Sequence, residues 1–382
     1  MPNLLEVVRN PIAYIAARWT PTQRTVQRAA LTALVLSVII VVSGGAVRLT
    51  GSGLGCDTWP KCSEDSLTAT SEMGFHGAVE FGNRMMTWVL SAAVGWAIIT
   101  VRSAKPARRE LSRLAWSQFW LVMANGVIGG ITVLMKLNPY TVAGHFLLAT
   151  GLLTVTTLTW LRAREGDSPP RPLVGKAIKQ LVYVLTAVTA LLIIVGTAVT
   201  GSGKHAGDSS DVPRMPFDWK TVAQIHADLA WVVVALTLAL WFVLRAVDAP
   251  VGPKHRIRDL FLILMAQGAI GYVQYFTDVP EVLVAAHLLG STAVWIGVLR
   301  VLLSLRERGL PQSGESASGD TGTTGDTEAD TGTKAGGDTE TAGETEASAE
   351  TEAAVPAPAR DGERESAPQQ AAAPSPSPTP SR

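Results

Sequence analysis

Long uninterrupted apolar runs dominate the first 305 residues, and polar, Pro/Gly-marked segments separate them. Eight such runs stand out, near residues 29–49, 74–101, 113–136, 139–161, 177–200, 220–244, 258–277 and 281–304. Each reaches the roughly 20 residues that an α-helix needs to cross about 30 Å of hydrocarbon. The pattern predicts an all-α integral membrane protein of eight transmembrane helices. Beyond about residue 309 the character changes to Thr, Gly, Glu, Ala, Ser and Pro, ending PSPSPTPSR. That composition cannot bury a core, so the expectation for 309–382 is a disordered, acidic and Pro-rich tail. No cleavable signal peptide is expected ahead of the first run.

Polar residues inside the runs carry the chemistry. The second run opens with FHGAVEFGNR, which sets His76, Glu80 and Arg84 at i, i+4 and i+8 on one helical face. Ionisable groups in an apolar segment are costly and mark a site by default. The competing explanation is an internal Glu80–Arg84 salt bridge with His76 at the interface. The fourth, sixth and eighth runs carry His145, His226 and His287.

The two halves repeat. An offset of 150 carries Thr50-Gly51-Ser52-Gly53 onto Thr200-Gly201-Ser202-Gly203, and His76 onto His226. An offset of 142 carries Gly126 and Gly129 onto Gly268 and Gly271, and His145 onto His287. Two four-helix units of even helix count share one orientation, so the expectation is two pseudo-repeated bundles related by an axis along the membrane normal. The expected organisation is a cytoplasmic segment 1–28, an N-terminal bundle 29–165, a linker 166–176, a C-terminal bundle 177–308, and the tail. All four histidines are expected within the first two turns of helices that start at the outer side, at a common depth. Facing imidazoles on two helices of a bundle are what an axial bis-His haem site requires. His205 and His255 are read as solvated loop residues. In the third run, NGVIGG (Asn125 to Gly130) lets either a neighbouring helix or a flat ligand approach closely.

Charge sets the topology. The chain is formally neutral, with 32 basic and 32 acidic residues. Residues 311–382 hold 14 acidic and 4 basic residues, so the membrane part is basic. Its Lys and Arg cluster before the first run, after the last, and in alternate connections. The positive-inside rule then places both termini in the cytoplasm of a cell-membrane protein. Because these charges flank apolar spans, nucleic-acid binding is excluded as their purpose. Arg48, at the outer interface, is read either as meeting an anion or as snorkelling. Cys56 and Cys62 fall in the first outer loop, where an oxidising compartment permits a disulfide; free thiols are the alternative.

Together GGAVRLTGSGLGCDTWPKC, EFGNR, the pairing of NGVIGG with LNPYTVAGH, and the histidine repeat resemble the haem A synthase family over about residues 29–305. The resemblance implies oxidation of the haem O methyl group to a formyl group, giving haem A for terminal oxidase assembly. It implies a haem b cofactor on His226 and His287 and the substrate haem in the N-terminal half. It implies an outer-loop cysteine pair, matched by Cys56 and Cys62. Many members carry E-x-x-H-R on the second helix; here Asn83 replaces that histidine while Glu80 and Arg84 remain. The repeat nominates His76 in its place, with His145 as its partner; the alternative is His145 as the sole protein ligand. Glu80 is the expected proton-moving or charge-steadying catalytic acid, and Arg84 its positioning partner. Expected partners are membrane lipid, haem O, the haem O synthase that delivers it, and an unidentified electron acceptor. A non-catalytic bis-His cytochrome passing electrons from quinol is the alternative function, and a transporter is a third class.

Overall fold

A computed structural model describes residues 10–205 and 207–309. The acidic tail and the first residues of the basic lead-in lie outside the described residues. A short amphipathic helix, α1 (Pro11–Arg18), precedes eight long ones: α2 (Gln23–Leu49), α3 (Gly74–Ser103), α4 (Arg109–Leu134), α5 (Pro139–Arg162), α6 (Lys176–Ser202), α7 (Trp219–Ala246), α8 (Val251–Phe276) and α9 (Glu281–Ser304). Among the described residues, these eight are long and apolar enough to cross a membrane. Helix is the form this sequence must take there, because hydrocarbon offers the backbone no partners and the helix satisfies its own. The starts are marked locally. Thr22, Asn138 and Asp218 accept hydrogen bonds from the N–H groups of Thr25, Tyr140 and Thr221, and Pro139 follows its cap directly.

The helices outrun the apolar runs at the basic ends. Arg24 and Arg28 lie on α2, and α8 begins at Val251, so Lys254, His255 and Arg256 are helical. His255 is exposed, but on a helix and not in a loop. The hydropathy signal stops where the membrane does, whereas the hydrogen-bond ladder continues into the aqueous layer.

Helices α2 and α3, α3 and α4, α4 and α5, and α5 and α2 pack pairwise; so do α6 and α7, α7 and α8, α8 and α9, and α9 and α6. One buried cluster draws on α2 to α5, including Ala33, Leu90, Val94, Leu111, Val122 and Leu152. A second draws on α6 to α9, including Leu185, Val233, Leu240, Leu260 and Val298. Leu34, Leu153, Trp295 and Leu299 form a third between them, and Trp295 Nε1 donates to Thr154 Oγ1 at 2.8 Å. Large apolar side chains left exposed on the spans, such as Trp120, Phe242 and Leu262, are the lipid-facing surface of such a protein.

At the basic end a two-residue antiparallel ribbon, β1 (Arg171–Pro172) with β2 (Arg306–Glu307), ties the α5–α6 connection to the segment after α9. Beside it the buried Arg162 pairs with Glu110 at 2.7 Å and Glu165 at 2.6 Å, and Arg108 pairs with Asp167 at 2.9 Å. Several of the basic residues that read as a topology signal are therefore also structural.

The opposite end holds two interlocked loops. Ser52 and Asp208 form a β-bridge, the Gly53 N–H donates to the Gly207 carbonyl at 2.8 Å, and the Leu54 N–H donates to Asp208 Oδ1 at 3.1 Å. Gly51 sits at φ 62°, and a Cβ at Gly53 would collide with the Gly207 carbonyl. The first Thr-Gly-Ser-Gly segment needs its glycines because its backbone approaches the other loop this closely, whereas in the second a Cβ at Gly201 would crowd Met215 and one at Gly203 would crowd Trp219. Arg48 completes the joint: its Nε donates to the His205 carbonyl at 2.7 Å and Nη2 to the Thr200 carbonyl at 2.8 Å. Among the described residues it pairs with no anionic side chain, and it binds carbonyls of the other half in place of snorkelling. His205 is half-buried, with Nε2 2.8 Å from the Val279 carbonyl, and so differs from the solvated residue expected of a loop.

Candidate functional site

His226 and His287 face each other. They reach inward from α7 and α9, with ring centroids 6.3 Å apart and planes at 59°. The other side of each ring lies on a glycine. A Cβ at Gly196 of α6 would stand 3.1 Å from His226 Cε1, and one at Gly271 of α8 would stand 3.3 Å from His287 Cε1. His145 has the same seat, on Gly129 of α4 at 3.2 Å. A side chain at any of these glycines would crowd the imidazole, which would have to give by a few tenths of an ångström. Among the described residues, the buried Nδ1 atoms of His145 and His287 have no hydrogen-bond partner.

These features fit an iron porphyrin. A metal–imidazole bond is about 2 Å, and an imidazole nitrogen lies about 1.15 Å from its ring centre given ring bonds near 1.33 Å. Two rings sharing one iron therefore stand about 6.3 Å apart, the separation found for His226 and His287.

His76 is placed differently. It is the third residue of α3, whereas His145, His226 and His287 are seventh or eighth in their helices. The repeat would start α3 near residue 69, but a 3₁₀ turn at Ser71–Met73 occupies that stretch after the cysteine loop. His76 is exposed, and its Nδ1 lies 2.9 Å from Ser52 Oγ. Among the described residues, no ring contact like that of the C-terminal pair joins His76 to His145. Asn83, in the position of the family's histidine, accepts a hydrogen bond from Ser43 of α2 at 2.7 Å.

Glu80 and Arg84 are brought together, and with them the first outer loop. Cys56 and Cys62 are joined by a disulfide. Glu80 is only 5% exposed. Its Oε2 accepts from the Cys56 N–H at 2.7 Å and its Oε1 from Arg84 Nη2 at 2.6 Å. Arg84 also donates to the carbonyls of Lys61, Cys56 and Thr58, at 2.9, 3.1 and 3.0 Å. The pair thus pins the disulfide loop onto α3. Trp59, in the same loop, lies over Gly130 of α4, where a Cβ would collide with its indole.

Asp208 faces this assembly from the other loop. Partial burial pushes its carboxyl up, but the Ser210 hydroxyl and N–H, the Leu54 N–H and the nearby His76 outweigh that. Its pKa lies below the usual carboxylate value.

Sequence reasoning missed Gly196 as the seat of His226 and Ser52 as the partner of His76. Gly196 has Ala46 at the repeat offset, so the repeat gave no signal for it. Ser52 was in view within the Thr-Gly-Ser-Gly match, but its bond to His76 depends on loop folding.

Comparison with known proteins agrees with this geometry. The model of the cytochrome oxidase assembly protein family (COX15-CtaA) matches residues 27–299. The chain is 26% identical over 282 residues to a protein named heme A synthase from Listeria welshimeri serovar 6b, covering 68% of this chain and 89% of that one. A protein of the same name from Listeria monocytogenes gives the same figures. Another, from Bacillus pumilus, is 26% identical over 216 residues, covering 53% of this chain and 68% of the relative. With eight spans, half-buried histidines seated on glycines and a family match over most of its length, the chain belongs to the cytochrome oxidase assembly protein family.

Proposed function

We propose that this protein is a haem A synthase, oxidising the methyl group of haem O to a formyl group at a site in α2 to α5. The observation that carries the reading is the His226–His287 pair, two half-buried imidazoles at the separation of rings that share one iron, in a protein of this family. Family membership favours synthesis over plain electron carriage. The resident group is haem b, held by His226 and His287 in the bundle α6 to α9; when bound it supplies one-electron transfer.

His145 holds the substrate iron from α5, seated on Gly129. His76 is the second substrate ligand, its ring oriented through Nδ1 by Ser52, which leaves Nε2 free to face a metal. With the oxygen taken from water, the change from methyl to formyl releases four protons and passes four electrons to the acceptor, so positive charge develops at the ring edge as the electrons leave. Glu80 steadies that charge or takes up the departing proton. Its orientation is fixed on one oxygen by the Cys56 N–H and on the other by Arg84. The disulfide loop covers this end and limits access of water. The chain sits in the cell membrane with both termini in the cytoplasm, as the basic flanks of the spans support, and receives haem O from its synthase. Electrons leave to an acceptor of unidentified class.

Expression in a host that makes haem O and lacks its own haem A synthase tests the reading. Pigment extraction and mass spectrometry then find haem A with the intact protein and not with His145→Ala. Haem O alone in both would refute it.

A further inference from the structure

The outer mouth of the C-terminal bundle holds a cleft of about 360 Å³ lined by Ser202, Gly203, Lys204, Arg214 and Trp219. Helical arithmetic places it over the His226–His287 pair. Trp219 is seven residues before His226, which is two turns on the same face, or about 10 Å toward the outer side. Gly203 stands seven residues after Gly196, the seat of His226, and a Cβ there would lie 3.1 Å from Trp219 Nε1. Tyr275, one turn beyond Gly271, stacks on Trp219 with centroids 5.9 Å apart.

The cleft offers donors with little to bind. Arg214 donates through Nη1 to the Gly203 carbonyl, which leaves the rest of its five N–H groups. Lys204 pairs with Asp278 and keeps two of its three. Ser202 Oγ is buried and has no partner among the described residues. Asp218 points its carboxylate at Thr221 instead. At an offset of 150 the positions of Lys204 and Arg214 are held by Leu54 and Glu64, so the N-terminal half lacks this pair of cations.

We propose that Lys204 and Arg214, with Ser202, anchor the two propionate carboxylates of the haem held by His226 and His287. The proposal rests on the reading of that pair as a haem site. Propionates project from one edge of the macrocycle, and cations at the outer mouth fix which edge faces outward. The asymmetry between the halves follows from their tasks. A resident cofactor gains from two charged anchors, whereas a substrate must be released after conversion.

The test uses the purified, haem-loaded full chain and the Lys204→Gln/Arg214→Gln variant, with haem loss to apomyoglobin followed by absorbance. Charge-assisted hydrogen bonds of this kind are worth about tenfold each in affinity, less where solvent screens them. The variant is expected to release haem b about tenfold faster. Reloaded with haem b dimethyl ester, which has no carboxylates, variant and parent are expected to release it equally fast. The conservative Arg214→Lys change is expected to restore most of the retention to a Lys204-containing chain. Equal release of haem b itself, or the same tenfold ratio with the ester, would overturn the assignment. A haem spectrum that survives His226→Ala would overturn the underlying haem reading as well; one lost in His226→Ala beside equal release rates would sink the anchor alone.

Discussion

Replacing Glu80 by glutamine isolates the most loaded contact in the structure. The carboxylate accepts from the Cys56 N–H at 2.7 Å on one oxygen and from Arg84 on the other, at 2.6 Å from Nη2 and 3.2 Å from Nε. Glutamine has one carbonyl oxygen, so in either orientation its NH₂ faces a donor. One charge-assisted bond is lost, worth about 1.5–3 kcal/mol. The full 3–5 kcal/mol of stranding a buried charge does not apply. The Arg84 side chain is 19% exposed and keeps three backbone carbonyls. A net cost of about 2 kcal/mol follows, which is about 30-fold in the opening equilibrium of the loop. Hydrogen exchange read by mass spectrometry over residues 55–62 should show that loss of protection. Haem A formation should stop, while the haem on His226 and His287 stays bound. Normal haem A output with unchanged exchange in the loop would refute both roles given to Glu80.

Gly196→Ala and Gly271→Ala each place a methyl 3.1–3.3 Å from an imidazole carbon, so each should displace a ligand ring by a few tenths of an ångström. The low-spin haem spectrum should shift and haem content fall, without loss of helix by circular dichroism. Asp208 has a lowered pKa when folded, so it stabilises the interlocked loops above its unfolded value of about 3.9. That contribution is lost as pH falls through the lower folded pKa. Limited proteolysis at 51–55 and 207–210 should accelerate below about pH 4, and Asp208→Ala should abolish that acid step. Cys56→Ser with Cys62→Ser removes a seven-residue closed loop, worth about 2 kcal/mol by loop-closure entropy. Thermal inactivation should come at lower temperature, while haem retention at His226 is unaffected.

Much of this arrangement could be read from the chain. The eight spans were legible because hydrocarbon imposes length and apolarity at once. The three histidines on α5, α7 and α9 stand out in the sequence by their repeat offsets, whereas the seating of their rings on Gly129, Gly196 and Gly271 is a finding of the structure. What was not legible depends on chain folding at the outer face. The cysteine loop takes up residues before α3 and moves His76 to the first turn, where it meets Ser52. Arg48 reads as a membrane-interface cation, yet it binds carbonyls 152 and 157 residues away in sequence. Glu80 reads as a catalytic acid, with a salt bridge to Arg84 as the competing possibility; the structure has that bridge and adds a task the sequence does not present, holding the disulfide loop through the Cys56 N–H. Nothing periodic marks such long-range polar contacts, because they are set by two loops meeting and not by one helix face.

The most direct test is the reduced-minus-oxidised absorbance spectrum of the purified protein beside that of His226→Ala. A bis-His low-spin haem signal in the parent, diminished by the substitution, is the expected result. A parent without haem absorbance, or a signal that the substitution leaves untouched, would contradict the account.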